Sequence, residues 1–282
     1  MIKLPMLCLL YTSFFWMETM KDEFVRIVQL SDIHLFENPE DSLLGVKTQE
    51  SFAALLEMLK KEEFSFIILS GDLSQDGSDA SYLRIAKMLK PFQVPIYCIP
   101  GNHDNTKIMA RVYPVENISN HRHIVLKNWH IILLNSQIPG SVEGYLDRSQ
   151  LHYLEHCLQT YPEHHAIIVF HHHPIPVGSA WLDKLGLTNA NEFWQLTENY
   201  PMITAVLFGH VHMAVEGKVK NIPYYSTPAG CIQFKPHHDA FSLDHIPQGF
   251  RIIELYSNGK LKTEVKRLPK YIGHFDQGAK GY

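Results

Sequence analysis

The sequence has few cysteines, and their placement excludes two common ways of stabilising a protein. Its 282 residues include four of them, which lie far apart: Cys8, Cys98, Cys157 and Cys231. None belongs to a Cys-x-x-Cys pair, so the sequence indicates neither a disulfide framework nor a zinc-thiolate site. Unpaired cysteines are typical of a reducing compartment, and we therefore expect a cytoplasmic protein.

The chain also lacks a strong charge of either sign. Its formal net charge is −4, from 25 basic and 29 acidic residues. Bulk electrostatics therefore does not attract the protein to nucleic acid or to an anionic membrane surface. We expect no nucleic-acid partner and no stable membrane partner, and the pattern does not decide between a monomer and a homodimer.

No apolar run in the sequence is long enough for a comfortable transmembrane helix. Residues 4–17 are almost wholly apolar and follow Lys3, which is the outline of a signal peptide. Residues 18–23, however, offer no small-x-small cleavage site. We interpret residues 1–22 as an extension outside the fold, with a signal or an anchor as open alternatives. We predict that residues 23–282 form one domain with a strand-rich C-terminal part.

Apolar runs of strand length and histidines are abundant instead. The patterns predict helices over 48–62, 78–89, 147–159 and 191–199, and strands over 24–30, 64–69, 95–99, 129–134, 166–170, 203–208, 214–219, 224–226, 250–256 and 261–266. Alternating strands and helices followed by hairpins predict an α/β (α+β) fold, in which two packed mixed β-sheets are flanked by helices. The 18 histidines call for a chemical explanation, because histidine binds metals and carries protons.

Five predicted strands end in polar turns that hold possible metal ligands. These turns are Asp32-Ile33-His34, Gly71-Asp72, Gly101-Asn102-His103-Asp104, His171-His172-His173-Pro174 and Gly209-His210-Val211-His212. In open α/β sheets ligands bind at the carboxyl ends of strands, so side chains from separate segments can converge there. Residues separated by one position in an extended segment point the same way, and a carboxylate can bridge two cations. One such turn arises often by chance, but five in one chain predict a metal site.

In this order, the motifs D-x-H, G-D, G-N-H-D, H-H-x-P and G-H-x-H resemble those of the calcineurin-like metallophosphoesterase superfamily. The resemblance covers about residues 24–215. Three further segments resemble the bacterial class III cyclic-nucleotide phosphodiesterases, and within them the cyclic AMP phosphodiesterases: Leu44-Gly45-Val46, Trp181-Leu182-Asp183 and Gln233-Phe234-Lys235-Pro236-His237. The resemblance implies the metallophosphoesterase fold of four α/β/β/α layers. It also implies two divalent or trivalent metal ions per chain, which would be iron, manganese or zinc.

The resemblance assigns a role to each residue of the motifs. Asp32, His34 and His212 would hold one metal ion, Asn102, His171 and His210 the other, and Asp72 would bridge the two. The choice of His171 over His172 rests on the family pattern, because spacing does not decide it. His103 and Asp104 would be catalytic: His103 would protonate the leaving oxygen and Asp104 would orient it. Contacts with the substrate are expected from His34, Asp72, Asn102, His103 and His212.

The expected reaction is hydrolysis of a small cyclic nucleotide, 3′,5′-cyclic AMP, to 5′-AMP by attack of a metal-bridging hydroxide. One alternative is a phosphoesterase of the same fold with another or broader substrate, such as a phosphomonoester, a nucleotide or a phosphoprotein. A pair of metal ions recognises phosphate more than base, so the motifs do not separate these substrates. A more remote alternative is a non-catalytic scaffold that binds a partner, and the presence of every ligand argues against it.

Overall fold

Strands and helices alternate along the chain, as the apolar patterns predict. The computed structural model describes residues 24–274, 278, 279 and 281, so the predicted extension over residues 1–22 lies outside the described residues. The strands are β1 (Phe24–Leu30), β2 (Ser42–Leu43), β3 (Val46–Lys47), β4 (Phe66–Ser70), β5 (Ile96–Ile99), β6 (Ile118–Ser119), β7 (His123–Leu126), β8 (Trp129–Leu133), β9 (His165–Val169), β10 (Ile203–Phe208), β11 (Glu216–Val219), β12 (Ile222–Ser226), β13 (Gln233–Phe234), β14 (Leu243–Asp244), β15 (Gly249–Tyr256) and β16 (Leu261–Arg267). The α-helices are α1 (Thr48–Leu59), α2 (Asp79–Leu89), α3 (Thr106–Val112), α4 (Arg148–Thr160) and α5 (Ala190–Thr197).

Two six-stranded mixed sheets contain most of the strands. The first has the order β16-β15-β1-β4-β5-β6, and the second has the order β11-β12-β10-β9-β8-β7. In the first sheet β1 pairs parallel to β4, with Ile27 opposite Phe66, and antiparallel to β15, with Ile27 opposite Ile253. In the second sheet β10 lies parallel to both β9 and β12. The C-terminal hairpin β15-β16 thus completes the sheet that the first strand begins.

The alternation of side chains along the strands produces the layers. In β4, Phe66 and Ile68 belong to an apolar cluster shared with the second sheet, including Leu207 of β10. Ile67 and Leu69 point the other way and share a second cluster with α1 and α2. Successive strand residues face opposite sides of a sheet, so one strand contributes to both clusters.

The second sheet repeats this arrangement on its outer face. Ile168 of β9 and Val206 of β10 pack in a third cluster with Leu154 of α4 and Phe193 of α5. Helices therefore cover the outer faces of two sheets that pack on each other. The predicted α/β/β/α architecture is confirmed.

One helix was not predicted from the sequence. Helix α3 has seven residues, and it begins after Asn105, whose side chain accepts hydrogen bonds from the N–H groups of Lys107 and Ile108. So short a helix shows too little periodicity to be recognised in an apolar pattern, and the cap largely defines its start. None of the helices in the described part of the chain is long and apolar enough to cross a membrane.

Candidate metal centre

The five predicted motifs meet at the carboxyl ends of β1, β4, β5, β9 and β10. Hydrogen bonds join the turns directly. The Asp32 N–H donates to the carbonyl oxygen of Gly71 at 3.0 Å, and the His103 N–H donates to Asp72 Oδ1 at 2.9 Å. The His210 N–H donates to both carboxylate oxygens of Asp32 at 3.1 Å. The two sheets therefore bring residues from distant parts of the sequence into one buried site.

Possible ligand atoms lie close together in four overlapping sets. Within each set the atoms are no more than 4.8 Å apart, and the sets are Asp32-His34-His212, Asp32-Asp72-His171, His34-Asp72-His103 and His171-His172-His210. The first set is the one predicted to hold one metal ion. The last contains two of the ligands predicted for the other ion, together with His172. Each carboxylate belongs to two sets, so both stand between the histidines.

Three of the histidines have the same hydrogen-bonded orientation. His34 Nδ1 contacts Gln75 Oε1 at 2.6 Å. His171 Nδ1 contacts the carbonyl oxygen of Ser70 at 2.8 Å, and His212 Nδ1 contacts the carbonyl oxygen of Ile232 at 2.9 Å. An oxygen acceptor requires that Nδ1 carry the proton in the neutral ring, which leaves the Nε2 lone pair for a metal. The Nε2 atoms face the carboxylates. Asp72 Oδ2 lies 3.6 Å from His34 Nε2 and 3.2 Å from His171 Nε2, and Asp32 Oδ1 lies 3.3 Å from His212 Nε2.

Several polar atoms of the site are buried without a hydrogen-bond partner among the described residues. They include Asp72 Oδ2, Asn102 Oδ1, His171 Nε2 and His210 Nε2. Buried polar atoms are almost always hydrogen-bonded, so a group of lone pairs without such partners in one place fits the coordination of a cation. Carboxylate, amide and imidazole donors fit a divalent metal, and two sets of them joined by Asp72 support a dinuclear site.

The electrostatics of the site favour a cation. Burial alone would raise the pKa of Asp72, but the neighbouring His171 and other histidines hold it well below its ordinary value. Burial would lower the pKa of His171, yet Asp72 and Asp32 raise it to about 9. Burial lowers the pKa of His34 to about 3, despite the nearby Asp72. The raised pKa of His171 reflects the negative potential of two buried carboxylates, which is the potential that a bound metal ion would experience.

The backbone of the site is strained at the predicted ligands. Positive φ angles occur at Asp32 (53°), His34 (47°), Asp72 (50°), His210 (68°) and His212 (48°). Non-glycine residues in this left-handed region cost about 1–2 kcal/mol each and persist where the surrounding structure enforces them. Such strain concentrates at functional sites, and here it coincides with five of the seven residues predicted to bind metal.

Two glycines of the motifs permit the turns to approach each other. A Cβ atom at Gly101 would overlap the carboxylate and backbone N of Asp72. A Cβ atom at Gly209 would overlap the Ser31 hydroxyl and press against Asp32 Oδ2. The glycine that precedes the ligand in each of these turns therefore serves close packing between loops.

Asp104 connects the turns that carry the predicted ligands. Its buried carboxylate accepts hydrogen bonds from the N–H groups of Leu73 (3.1 Å), Ser74 (2.9 Å) and Gly101 (2.9 Å), and from the Tyr82 hydroxyl (3.0 Å). Burial, followed by the charge of Asp72, raises the pKa of Asp104 to about 6. These contacts support a positioning role for Asp104, and its predicted effect on the orientation of His103 stays a prediction.

His103 lies between the buried ligands and an open cavity. Its ring packs edge-on against His34, with centroids 4.9 Å apart and an interplanar angle of 75°. It also lines a cavity of about 350 Å³ that reaches His210 and Trp181. A half-buried imidazole at the boundary between ligands and cavity is well placed to act on a substrate.

The structure places further residues at the site beside those to which the motifs assign a role. His172 Nδ1 contacts the Ser136 hydroxyl at 2.8 Å, and the ring belongs to one ligand set with His171 and His210. The spacing of the sequence left His172 open as an alternative to His171, and the family pattern assigned it no role. The three histidines are oriented by Gln75, Ser70 and Ile232, and no pattern in the sequence points to these three residues. For Ser70 and Ile232 the reason is that the contacts use backbone oxygens.

The fold and the site together define a class of protein: two mixed sheets between helices, with a buried centre for two metal ions at the strand ends. Residues 25–214 match the family described as calcineurin-like phosphoesterase. The chain belongs to this family.

Curated relatives extend the match over nearly the whole chain. The 3′,5′-cyclic adenosine monophosphate phosphodiesterase CpdA of Vibrio vulnificus is 42% identical over 254 residues, covering 89% of this chain and 93% of that protein. The protein of the same name from Escherichia coli K12 is 39% identical over 261 residues, covering 92% of this chain and 95% of that protein. A 3′,5′-cyclic-nucleotide phosphodiesterase from Nostoc is 34% identical, with coverage of 87% and 93%.

Solved structures show the same fold at low sequence identity. A dimetal phosphatase from Danio rerio has a TM-score of 0.63 at 11% identity and covers 86% of this chain and 98% of its own. A purple acid phosphatase from yellow lupin has a TM-score of 0.63 at 14% identity, with coverage of 90% and 53%. These likenesses concern the fold alone.

Proposed function

We propose that this protein hydrolyses 3′,5′-cyclic AMP to 5′-AMP at a centre of two metal ions. The observation that carries the proposal is the orientation of His34, His171 and His212, whose Nδ1 atoms contact oxygens so that their Nε2 atoms face two buried carboxylates. The named activity of the curated relatives, which match over nearly their whole length, supports the substrate.

We assign the ligands as the motifs suggest. Asp32, His34 and His212 would hold one ion, Asn102, His171 and His210 would hold the other, and Asp72 would contact both. The geometry that supports this assignment is the overlap of three ligand sets at the two carboxylates, together with a fourth set that shares His171 with one of them. Iron, manganese and zinc all suit imidazole mixed with oxygen donors. When bound, the two ions would lower the pKa of a water and neutralise charge on the phosphoryl oxygens.

The protein itself orients the substrate and handles the leaving group. A water oxygen forms a bond to phosphorus while the bond from phosphorus to the 3′ oxygen breaks, and the 3′ oxygen takes up a proton. His103 stands beside the ligands and lines the cavity, so we assign it as the donor of that proton. We assign the contacts with the substrate to His34, Asp72, Asn102, His103 and His212. The buried carboxylate of Asp104 holds the turn of Asn102 and His103 through Gly101.

The test is hydrolysis of cyclic AMP by manganese-loaded protein, with the metal content of each variant measured in parallel. We expect Asp72→Asn to bind fewer than two ions and to lose turnover. We expect His103→Ala to keep its metal and to lose about 10²–10⁴ in kcat, the range for removal of a general acid. His152→Ala changes an exposed histidine of α4 and is the control.

Two outcomes would reject parts of the proposal. Turnover of a simple aryl phosphodiester without turnover of cyclic AMP would keep the metal centre and reject the substrate. Full activity of His103→Ala would reject its role in protonation.

We further propose that residues 23–282 act as one domain in the cytoplasm, as a monomer or homodimer. The pairing of β15 with β1 supports the single domain, because the C-terminal hairpin belongs to the sheet of the first strand. The described cysteines Cys98, Cys157 and Cys231 are free and buried, which suits a reducing compartment.

A further inference from the structure

Three aromatic side chains next to the candidate metal centre form one cluster, which we call the aromatic wall: Trp181, Phe234 and Phe241. Their ring centroids lie 5.0 Å (Trp181 to Phe234), 5.2 Å (Trp181 to Phe241) and 5.6 Å (Phe234 to Phe241) apart, with edge-on geometry. Phe234 also stacks on His212, with centroids 4.2 Å apart and an angle of 9° between the planes. The aromatic wall therefore packs directly on a predicted metal ligand.

The aromatic wall borders the cavity of about 350 Å³ that His103 and His210 also line. Phe234 is buried (2% exposed) and held against His212, whereas Trp181 and Phe241 each keep part of the side chain exposed. Much of the remaining lining is aliphatic, including Leu182 and Leu185. The Trp181 Nε1 atom is buried. Away from the two histidines, the described lining of the cavity thus offers flat apolar surface and little side-chain hydrogen bonding.

We infer that the nucleobase of the substrate stacks on Trp181 and Phe241 and is recognised by its flat face. The inference rests on the proposed function, because the phosphate at the metal centre places the rest of a cyclic nucleotide in the adjoining cavity. Stacking of a base on an aromatic side chain tolerates different bases, since every base has a π face. The site therefore favours nucleotides over base-free phosphates and purines over the smaller pyrimidines, and it discriminates weakly between adenine and guanine.

The test compares a ligand that has a base with one that does not. Binding of 5′-AMP and of ribose 5-phosphate to the manganese-loaded full chain is measured by isothermal titration calorimetry. We expect wild-type protein to bind 5′-AMP about ten- to a hundredfold more tightly, which is the range for one stacking platform. Trp181→Ala should remove most of that difference without changing the affinity for ribose 5-phosphate, and Trp181→Phe should retain much of it.

Phe24→Ala is the matched control, because it removes an exposed aromatic ring at the opposite end of β1. If Trp181→Ala does not fold, Phe241→Leu removes the second ring and makes the same comparison. Equal loss of affinity for both ligands in the variants would show that the wall only supports His212, and would overturn the inference. Unchanged affinity for 5′-AMP would place the base elsewhere and would also overturn it.

Failure of the proposed function gives a different result. In that case cyclic AMP is not hydrolysed, although 5′-AMP can still bind more tightly than ribose 5-phosphate in a manner that depends on Trp181. The binding experiment therefore decides the role of the wall, and the turnover experiment decides the reaction.

Discussion

Substitution of Gln75 by leucine tests whether the orientation of a histidine determines metal binding. Gln75 Oε1 lies 2.6 Å from His34 Nδ1, and we expect this contact to keep the proton on Nδ1 and the lone pair on Nε2. Leucine removes the acceptor without adding charge. The neutral ring can then carry its proton on Nε2, which blocks the atom that would face the metal.

The expected loss is about 10- to 100-fold in metal affinity, typical of removing such a supporting hydrogen bond. This corresponds to about 1.4–2.7 kcal/mol. Competition with a chromophoric chelator measures the affinity, and the Tm in excess manganese gives a second readout. Gln75→Glu keeps an oxygen acceptor at this position and should restore binding.

Gln159→Leu is the matched control, since Gln159 is exposed on α4 and its amide donates to the Tyr200 hydroxyl. Metal binding by Gln75→Leu as tight as that of wild type would refute a role for this acceptor. The same holds if Gln75→Glu, which again offers an oxygen acceptor to His34 Nδ1, fails to restore the affinity that Gln75→Leu loses.

Three further predictions concern the loops and the core. Tyr82→Phe removes the hydroxyl that donates to Asp104, so we expect a loss of about 1–3 kcal/mol in the free energy of unfolding and a lower kcat, measured by urea denaturation and kinetics. Gly101→Ala forces the turn away from Asp72, so metal-dependent turnover should fall at least about tenfold while the circular dichroism spectrum stays that of the folded protein. Unchanged turnover would contradict the close approach of the two turns. Burial lowers the pKa of His130 to about 4, from 6.5 in the unfolded chain, so its stabilising contribution is complete above pH 6.5 and is lost as the pH falls through 4. His130→Asn should therefore reduce the pH dependence of unfolding between pH 7 and 4 by up to about 3 kcal/mol.

Strands and helices were predictable where the local apolar pattern matches the surface that the element buries in the fold. Strand β1 (Phe24–Leu30) and strand β10 (Ile203–Phe208) have the predicted bounds, because each is a buried apolar run that ends at a polar turn. Helix α1 was predicted to reach Glu62 but ends at Leu59, the last residue of its buried face. The charged residues that follow have no apolar surface to hold them on the sheet.

The order of the strands was not predictable from local pattern. Strand β1 pairs with β15, more than two hundred residues later in the chain, and this pairing depends on which surfaces remain uncovered after the other strands associate. The same applies to Asp104. The sequence placed it beside His103, whereas the structure shows its carboxylate bound to the backbone of Leu73 and Ser74, some thirty residues earlier.

The sequence by itself determined which residues are the candidate metal ligands, because metal ligands must be particular side chains and the strand-end turns that hold them are local features. Only the tertiary structure decided how those side chains are presented. The acceptors of the His171 and His212 rings are the backbone oxygens of Ser70 and Ile232, and a backbone oxygen has no residue type by which a sequence could reveal it. The left-handed backbone at Asp72 likewise depends on contacts between loops that only the packed sheets bring together.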